Sequence, residues 1–232
     1  MGDFKPADLY VGVMELFTVL LPGAFLTAGI LWALPEPYAG ELARLKIGEA
    51  AQWVAFLFCA YALGAFVFPV AALLDRFYPR YRRWRTRKGD HAYIRATELR
   101  QAFAAARFPD ARGDDPMNTF SWAKTMLMQR APAAFADVQR YEAESKFLRS
   151  LAVALPIVGA LAATGRFGGD LAILAVTALL TVLSLWRYGD QRFKSTEWAY
   201  MHVITLQLAP PAAAAPEPWW RPLLALVTRT RA

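Results

Sequence analysis

Four apolar runs divide the chain, and the lengths of the first two are the first clue to its fold. Leu16–Leu34 has 19 residues without a charge, and Ala50–Leu74 has 25 residues broken only by Gln52. A helix rises about 1.5 Å per residue, so about 20 residues cross a hydrocarbon core of about 30 Å. A helix of a water-soluble domain keeps a polar face, which these runs lack. We therefore predict transmembrane helices over residues 9–34 and 50–74.

The third and fourth apolar runs are shorter and form a pair. Ser150–Thr164 and Leu171–Trp186 hold 15 and 16 residues, so as helices they span only about 22–24 Å. The arginines that flank them have long side chains that reach the headgroups, which lets short spans fit a bilayer. We predict a membrane hairpin with spans over 148–165 and 170–187. A buried hairpin in a soluble helical domain is the alternative.

Basic residues set the expected orientation. Seven cations lie in the 13 residues from Arg76 to Lys88, and segment 75–149 carries 16 basic and nine acidic side chains. Segment 35–49 carries two basic and three acidic ones. Lys and Arg are retained on the cytoplasmic side. We predict an all-α integral protein of the cell membrane, with four transmembrane helices, both termini in the cytoplasm, and a helical cytoplasmic domain over 75–147 between the second and third spans.

The cytoplasmic segments have helical spacing of apolar side chains. Asp115 before Pro116 is typical of a helix start. From Ala133 onward, we expect one unbroken helix to enter the third span. A further helix over 188–208 follows the fourth span. The side of this helix expected to pack on the cytoplasmic domain carries Trp198, Met201, Thr205 and Leu208.

The C-terminal end differs in composition from the rest. Residues 209–218 form an Ala/Pro linker, because repeated proline favours extended chain. Residues 219–232 are amphipathic, and Trp219 and Trp220 could anchor them in the membrane interface. Docking into a neighbouring subunit is the alternative for this tail.

The basic stretch after the second span has three explanations. Next to a span, each Lys or Arg gains about 1 kcal/mol from anionic headgroups. Arginines interleaved with aromatics also suit nucleic acid, or a phosphorylated nucleotide messenger. The position favours membrane lipids, so nucleic acid is not expected as a partner. The predicted membrane-surface or anionic-ligand residues are Arg76, Arg80, Arg82, Arg83, Arg85, Arg87 and Lys88.

Some residues inside the predicted spans are candidates for gating. Proline removes a backbone hydrogen bond and permits a kink, which can gate or simply improve packing. Glu15 is ionisable and lies near the edge of the first span, where such groups are costly; an ion pair with Arg149 or Arg187 is the plain alternative. The remaining candidates are Pro22, Gly23, Pro69 and Pro156.

Small residues four positions apart occur in two of the spans. Ala60 with Gly64, and Gly159 with Ala163, allow close helix contact and mildly favour self-association.

The composition offers little catalytic chemistry. Hydrophobic residues make up 56% and charged residues 19%, which excludes a disordered chain. The one cysteine and two histidines give neither a disulfide nor metal-ligand spacing. No nucleotide-binding or hydrolase motif occurs. We therefore predict no catalytic residue, metal or cofactor, and no enzyme. A lipid-modifying enzyme that uses Glu15 or His91 is the remaining enzymatic hypothesis.

Two blocks flank the predicted hairpin: ESKFLRSL (Glu144–Leu151) and RYGDQRFKSTEWAY (Arg187–Tyr200). They resemble blocks in uncharacterised bacterial four-helix membrane proteins, some of them suspected effectors or sensors in anti-phage defence operons. The resemblance covers about the last 90 residues. It implies a membrane protein that works with a soluble cytoplasmic partner, and it assigns no functional residue.

These observations support two main hypotheses. The first is an oligomeric membrane sensor or pore-type effector controlled through its cytoplasmic helices. Four helices leave little room for a path within one subunit, so a conducting route would lie between copies of a homo-oligomer. The second is a non-conducting membrane anchor that recruits a soluble cytoplasmic protein.

Overall fold

The computed structural model describes residues 6–35, 37–38, 48–86, 89–107, 118–164 and 171–208, with backbone alone for 6–15 and Thr164. Every regular element in these ranges is helical. The elements are α1 (Pro6–Ala33), α2 (Glu49–Ala72), a 3-10 turn (Leu73–Arg76), α3 (Tyr78–Arg85), α4 (His91–Arg107), α5 (Thr119–Arg130), α6 (Pro132–Thr164) and α7 (Leu171–Leu208).

Four helices, α1, α2, α6 and α7, are long and apolar enough to cross a membrane. The predicted fold class is thus confirmed: the protein is all-helical, with four candidate spans and shorter helices between the second and third. In the most apolar 18-residue stretch of α7, only 17% of the residues are buried. A water-soluble bundle would bury such side chains, so lipid is the solvent that suits this surface.

We call one end of the molecule the apolar bundle: α1, α2, the second half of α6 and the first half of α7. Leu26, Val67, Ala154 and Val158 form its buried core. In this bundle α6 is central, because it packs against α1, α2 and α7.

The closest helix contacts of the apolar bundle use glycine. A methyl group at Gly23 would lie 1.8 Å from the Ala60 carbonyl oxygen, and one at Gly64 would lie 2.0 Å from that of Val19. Between α6 and α7, Gly159 of α6 faces Thr177 of α7. The small residues predicted to favour self-association are therefore used for packing within one chain.

We call the other end the polar bundle: α4, α5, the first half of α6 and the second half of α7. Helix α3 lies against α7, and it follows α2 in the chain through the 3-10 turn. The largest buried side chains of the polar bundle are those of Trp122, Met126, Leu127, Val138, Tyr200 and Val203.

Helices α6 and α7 belong to both bundles. Helix α6 is unbroken over 33 residues, as the sequence predicts, and α7 is unbroken over 38 residues, so that the fourth span and the helix predicted after it are one element. The two helices measure about 50 and 57 Å. A hydrocarbon core is about 30 Å thick. Each helix therefore extends about 20 Å or more beyond any membrane it crosses.

Two details predicted from the sequence are wrong. Asn118 caps α5, accepting a hydrogen bond from the Phe120 backbone nitrogen at 2.8 Å, so the helix does not start at Asp115. On α7 all four residues predicted to pack inward are exposed. The inward face instead carries Ser195, Ala199, Tyr200 and Val203. The small side chains of Ser195 and Ala199 let α7 approach its neighbours closely, and Tyr200 and Val203 fill the core.

Several predictions fall outside the described residues. These are the Ala/Pro linker over 209–218, the tail over 219–232 with Trp219 and Trp220, and the cations Arg87 and Lys88. They remain predictions.

Candidate functional site

A buried cation lies where the apolar bundle meets the polar bundle. The Arg149 side chain, on α6, is 8% exposed and forms an ion pair with Asp75 in the turn after α2. Tyr188, on α7, donates its hydroxyl hydrogen to the other carboxylate oxygen of Asp75. The Arg149 guanidinium also lies 5.2 Å from the centroid of the Phe68 ring. One carboxylate thus ties three elements together, and we call Arg149, Asp75 and Tyr188 the junction clamp.

The junction clamp fixes alignment more than it adds stability. A buried cation is costly to desolvate, and its partner's attraction only roughly offsets that cost. Asp75 is 39% exposed, so solvent weakens the attraction further. The junction clamp therefore sets how the end of α2 is aligned with α6 and α7.

A second polar contact joins α6 and α7 one turn farther from the apolar bundle. The Gln191 side-chain nitrogen donates to a Glu144 carboxylate oxygen at 2.6 Å. Gln191 is buried, and within the described residues its side-chain oxygen has no hydrogen-bond partner. Unpaired buried polar atoms are costly. A shift of α6 against α7 would also break the bond from the Gln191 nitrogen to Glu144, so this contact holds the two helices in one register.

Arg82 attaches α3 to the polar bundle. It donates two hydrogen bonds to Asp90, at 2.6 and 2.9 Å, and a third to the Thr196 hydroxyl at 2.7 Å. Its guanidinium lies between 5.3 and 5.7 Å from three ring centroids, those of Tyr93, Phe193 and Tyr200. Burial opposes the charge, but the hydrogen bonds to Asp90 outweigh it and raise the pKa of Arg82. Arg82 is therefore not available as an exposed cation.

Arg85 also points towards α7. It forms an ion pair of 3.0 Å with Asp190, which Lys194 contacts at 2.9 Å. Burial of Asp190 is outweighed by Lys194 and then by Arg85 and Arg187, and these cations lower the pKa of its carboxyl. Beside it, a methyl group at Gly189 would lie 2.9 Å from the Tyr81 ring, so glycine is what lets α3 lie against α7.

The remaining described cations of the basic stretch face outward. Arg76, Arg80 and Arg83 are exposed, and their spacing of four and three residues places them on one side of the turn and α3. Phe77 and Trp84 are also more than half exposed. We call these five residues the basic face. It immediately follows an apolar helix and combines cations with aromatics, as membrane interfaces do.

A cleft of about 440 Å³ opens on the polar bundle between α5, α6 and α7. Within it, Lys124 lies 2.6 Å from Glu142, whose other oxygen is 3.3 Å from Lys146. Burial would raise the pKa of the Glu142 carboxyl, but Lys124 and Lys146 outweigh burial and lower it. We call this the cationic cleft, and its lining residues are Phe120, Ser121, Lys124, Thr125, Met128, Phe135, Glu142 and Arg192.

A second cleft, of about 350 Å³, contains His91, the histidine of the enzymatic hypothesis. It is lined also by Asp90, already held by Arg82, and by Glu197, whose carboxyl pKa is raised by burial and by the charge of Asp90. His91 itself is exposed. Within the described residues, no three potential metal ligands come together.

The predicted gating residues lie apart from these sites. Pro22 is fully buried, whereas Pro69 and Pro156 are exposed, and all three lie inside continuous helices. Gly23 is a packing residue. Glu15 belongs to α1, but its side chain lies outside the described part of the chain.

The sequence analysis did not single out Asp75, Glu142 or Arg192. Arg149 pairs with Asp75, while the alternative of an ion pair between Glu15 and Arg149 or Arg187 stays a prediction, because the Glu15 side chain lies outside the described residues. The signal for the pair of Arg149 and Asp75 was present, because both residues stand at the ends of long apolar runs. Glu142 and Arg192 gave no signal, because charged residues on a predicted surface helix look alike.

No protein-family model, curated protein or solved structure matches this chain.

Proposed function

We propose that this protein is an oligomeric sensor or pore-type effector of the bacterial inner membrane, in which the polar bundle controls the apolar bundle. The observation that carries the proposal is the continuity of α6 and α7 through both bundles. A continuous helix moves as a unit, so a change of packing around its polar half displaces its apolar half. The junction clamp stands at the point where this displacement would pass to α2.

The basic face supports a cytoplasmic position for the polar bundle. Its three exposed arginines follow directly after a candidate span, where cations are retained on the cytoplasmic side and meet anionic headgroups. Phe77 and Trp84 suit the headgroup region of the same leaflet. The resemblance of the hairpin flanks adds bacterial defence against phage as the setting.

The hydroxyl groups of the apolar bundle favour a conducting path between subunits over a path within one. Thr27 donates to the Gly23 carbonyl, Thr177 to that of Ile173 and Thr181 to that of Thr177, at 2.7–2.9 Å. Each of these three hydroxyls bonds to a carbonyl of its own helix, so none of them is free to line a water-filled path. The exposed side of α7 offers an apolar surface on which copies could associate.

A second function is supported by a different observation. The polar bundle exposes the large apolar side chains of Ile94, Trp198, Met201 and Leu208. A soluble protein that covered them would make this chain a non-conducting membrane anchor. Exposed apolar patches of this kind often mark protein interaction sites.

Ion flux from liposomes separates the two functions. The wild-type protein is compared with Asp75→Asn, which weakens the junction clamp, and with Arg95→Gln, which removes an exposed cation of α4. A sensor or pore-type effector is expected to release ions, with the flux changed several-fold by Asp75→Asn and unchanged by Arg95→Gln. Liposomes that stay tight with all three proteins, together with a soluble partner captured in fixed stoichiometry, would support the anchor instead.

A further inference from the structure

We propose that the cationic cleft binds a small organic phosphate: a phosphate group attached to an apolar or aromatic body. The role of that ligand as the controlling signal rests on the proposed function, but its binding does not. Three features of the cleft carry the inference: its charge, its walls and its position.

The charge of the cleft favours an anion. Two of its lining residues, Lys124 and Arg192, are cationic and one, Glu142, is anionic. Glu142 is shared between Lys124 and Lys146, so it cannot neutralise the cleft. The cleft therefore has positive charge in excess before any ligand arrives.

Within the described residues, Arg192 forms no ion pair with a carboxylate. Its guanidinium lies 5.8 Å from the centroid of the Tyr78 ring and 5.3 Å from that of Phe120. Its Nε atom is buried without an acceptor in the described part of the chain. Rings attract a cation but accept no hydrogen bond as a carboxylate or phosphate does. The guanidinium is held in place at the cleft by these rings, and Glu142 acts on its charge only through space, without an ion pair.

The walls of the cleft define the rest of the ligand. Phe120, Met128 and Phe135 form apolar surface, while Ser121 and Thr125 bring hydroxyl groups. Small-molecule sites commonly have volumes of about 300–1,000 Å³, and this one has about 440 Å³. A bare phosphate would leave the apolar walls uncovered, so the phosphate must carry an apolar group. Its several oxygens match the ammonium, guanidinium and hydroxyl donors better than a carboxylate does.

The position of the cleft gives such a ligand a consequence. Helix α5 supplies one wall, and the other residues belong to α6 and α7, the two helices that continue into the apolar bundle. Arg192 is four residues from Tyr188 of the junction clamp, and so one helical turn away. A phosphate that drew Lys124 of α5 towards Arg192 would change the packing of α5 on α7.

Binding can be measured with two probes that separate a soluble ligand from a lipid. Phenyl phosphate is titrated calorimetrically into the protein in a neutral detergent. In parallel, thermal unfolding is compared in nanodiscs of phosphatidylcholine with and without phosphatidic acid. Binding in the first arm assigns a soluble ligand. Stabilisation in the second arm alone, dependent on the cleft, assigns a lipid headgroup.

Two variants test the cleft, and one serves as a control. Arg192→Gln is expected to weaken binding about tenfold or more, because a charge-assisted hydrogen bond is lost. Ser121→Trp fills the cleft at an exposed position without changing charge, and it should abolish binding even if Arg192→Gln fails to fold. Arg95→Gln removes a cation whose side chain is 55% exposed on α4, which contributes no residue to the cleft, and should bind as the wild type does.

The outcomes are decisive in both directions. Absence of binding in both arms would overturn the proposal, and so would binding that survives Ser121→Trp. Failure of the cleft is distinguishable from failure of the proposed function, because ion flux is measured both without and with phenyl phosphate. Flux without phosphate binding would refute the cleft alone, whereas binding with no flux in either condition would refute the pore alone.

Discussion

The glycine contact between α1 and α2 offers a sharp test of the apolar bundle. A methyl group at Gly23 would stand 1.8 Å from the Ala60 carbonyl oxygen, and one at Gly64 would stand 2.0 Å from that of Val19. Both obstacles are backbone atoms, which cannot rotate away as a side chain can. An ordinary contact needs more than 3 Å, so either substitution forces the two helices apart locally by more than 1 Å.

The expected cost follows from two opposed terms. Gly→Ala inside a helix gains up to about 1 kcal/mol of helix propensity. Overpacking a filled contact costs about 1–3 kcal/mol or more, and the backbone obstacle places these sites at the upper end. We expect Gly23→Ala and Gly64→Ala each to lower the free energy of unfolding by about 2 kcal/mol.

Two other glycines complete a graded series. At Gly29 the added methyl group would meet only the side chain of Val158, at 2.8 Å, and at Gly48 it would meet nothing within 4 Å. We expect Gly29→Ala to lie between the extremes and Gly48→Ala, at the start of α2, to change stability by less than about 1 kcal/mol. Thermal unfolding of the detergent-solubilised variants, followed by size exclusion, measures the order. If Gly23→Ala and Gly64→Ala are as stable as Gly48→Ala, α1 and α2 do not cross as described.

Further predictions concern the junction and the polar bundle. Asp75→Asn should lower unfolding stability by about 2 kcal/mol, because it leaves a buried cation without its charge partner, and Tyr188→Phe by only about 1 kcal/mol; equal thermal shifts would contradict the junction clamp. The carboxyl pKa of Glu142 is lowered on folding, so its stabilisation is present above its ordinary value of 4.5 and lost as the pH falls below it. Chemical denaturation should show a flatter acid profile for Glu142→Gln than for the wild type. Arg82→Gln should reduce thermal stability, because Arg82 packs against α7. Arg83→Gln should leave thermal stability unchanged and weaken sedimentation with anionic vesicles, because Arg83 is a surface cation. The reverse pattern would refute this difference between the two arginines.

The spans could be predicted from the sequence because they depend on the summed hydrophobicity of a continuous run of residues. A continuous apolar run is costly in water whatever its neighbours are, so Leu16–Leu34 and Ala50–Leu74 predict helices without knowledge of the rest. The unbroken course of α6 was also predictable, because neither proline nor glycine stands between Ala133 and the third span, and Pro156 lies within the span, where a membrane helix tolerates it.

The hydrophobic pattern could not predict which side chains contact one another. The inward face of α7 is set by Ser195 and Ala199, whose small size permits close approach, and hydropathy gives such residues little weight. The basic stretch shows the same limit. Arg82 and Arg83 are neighbours with identical side chains, yet one is held by Asp90 and three rings while the other is exposed. They differ only because the orientation of α3 about its own axis turns Arg82 towards α7 and Arg83 away from it.

Under the proposed control of the apolar bundle by the polar bundle, α7 would act as a nearly equal-armed lever with Tyr188 as its pivot. From there to Leu171 is 17 residues and to Leu208 is 20 residues, so the two arms are about 26 and 30 Å long. A swing of 2 Å at the outer tip would thus return almost its full amplitude at the opposite tip. Such a lever amplifies neither displacement nor force. A displacement at the Leu208 end would therefore produce a displacement of similar size at the lipid-facing Leu171 end, and no larger one.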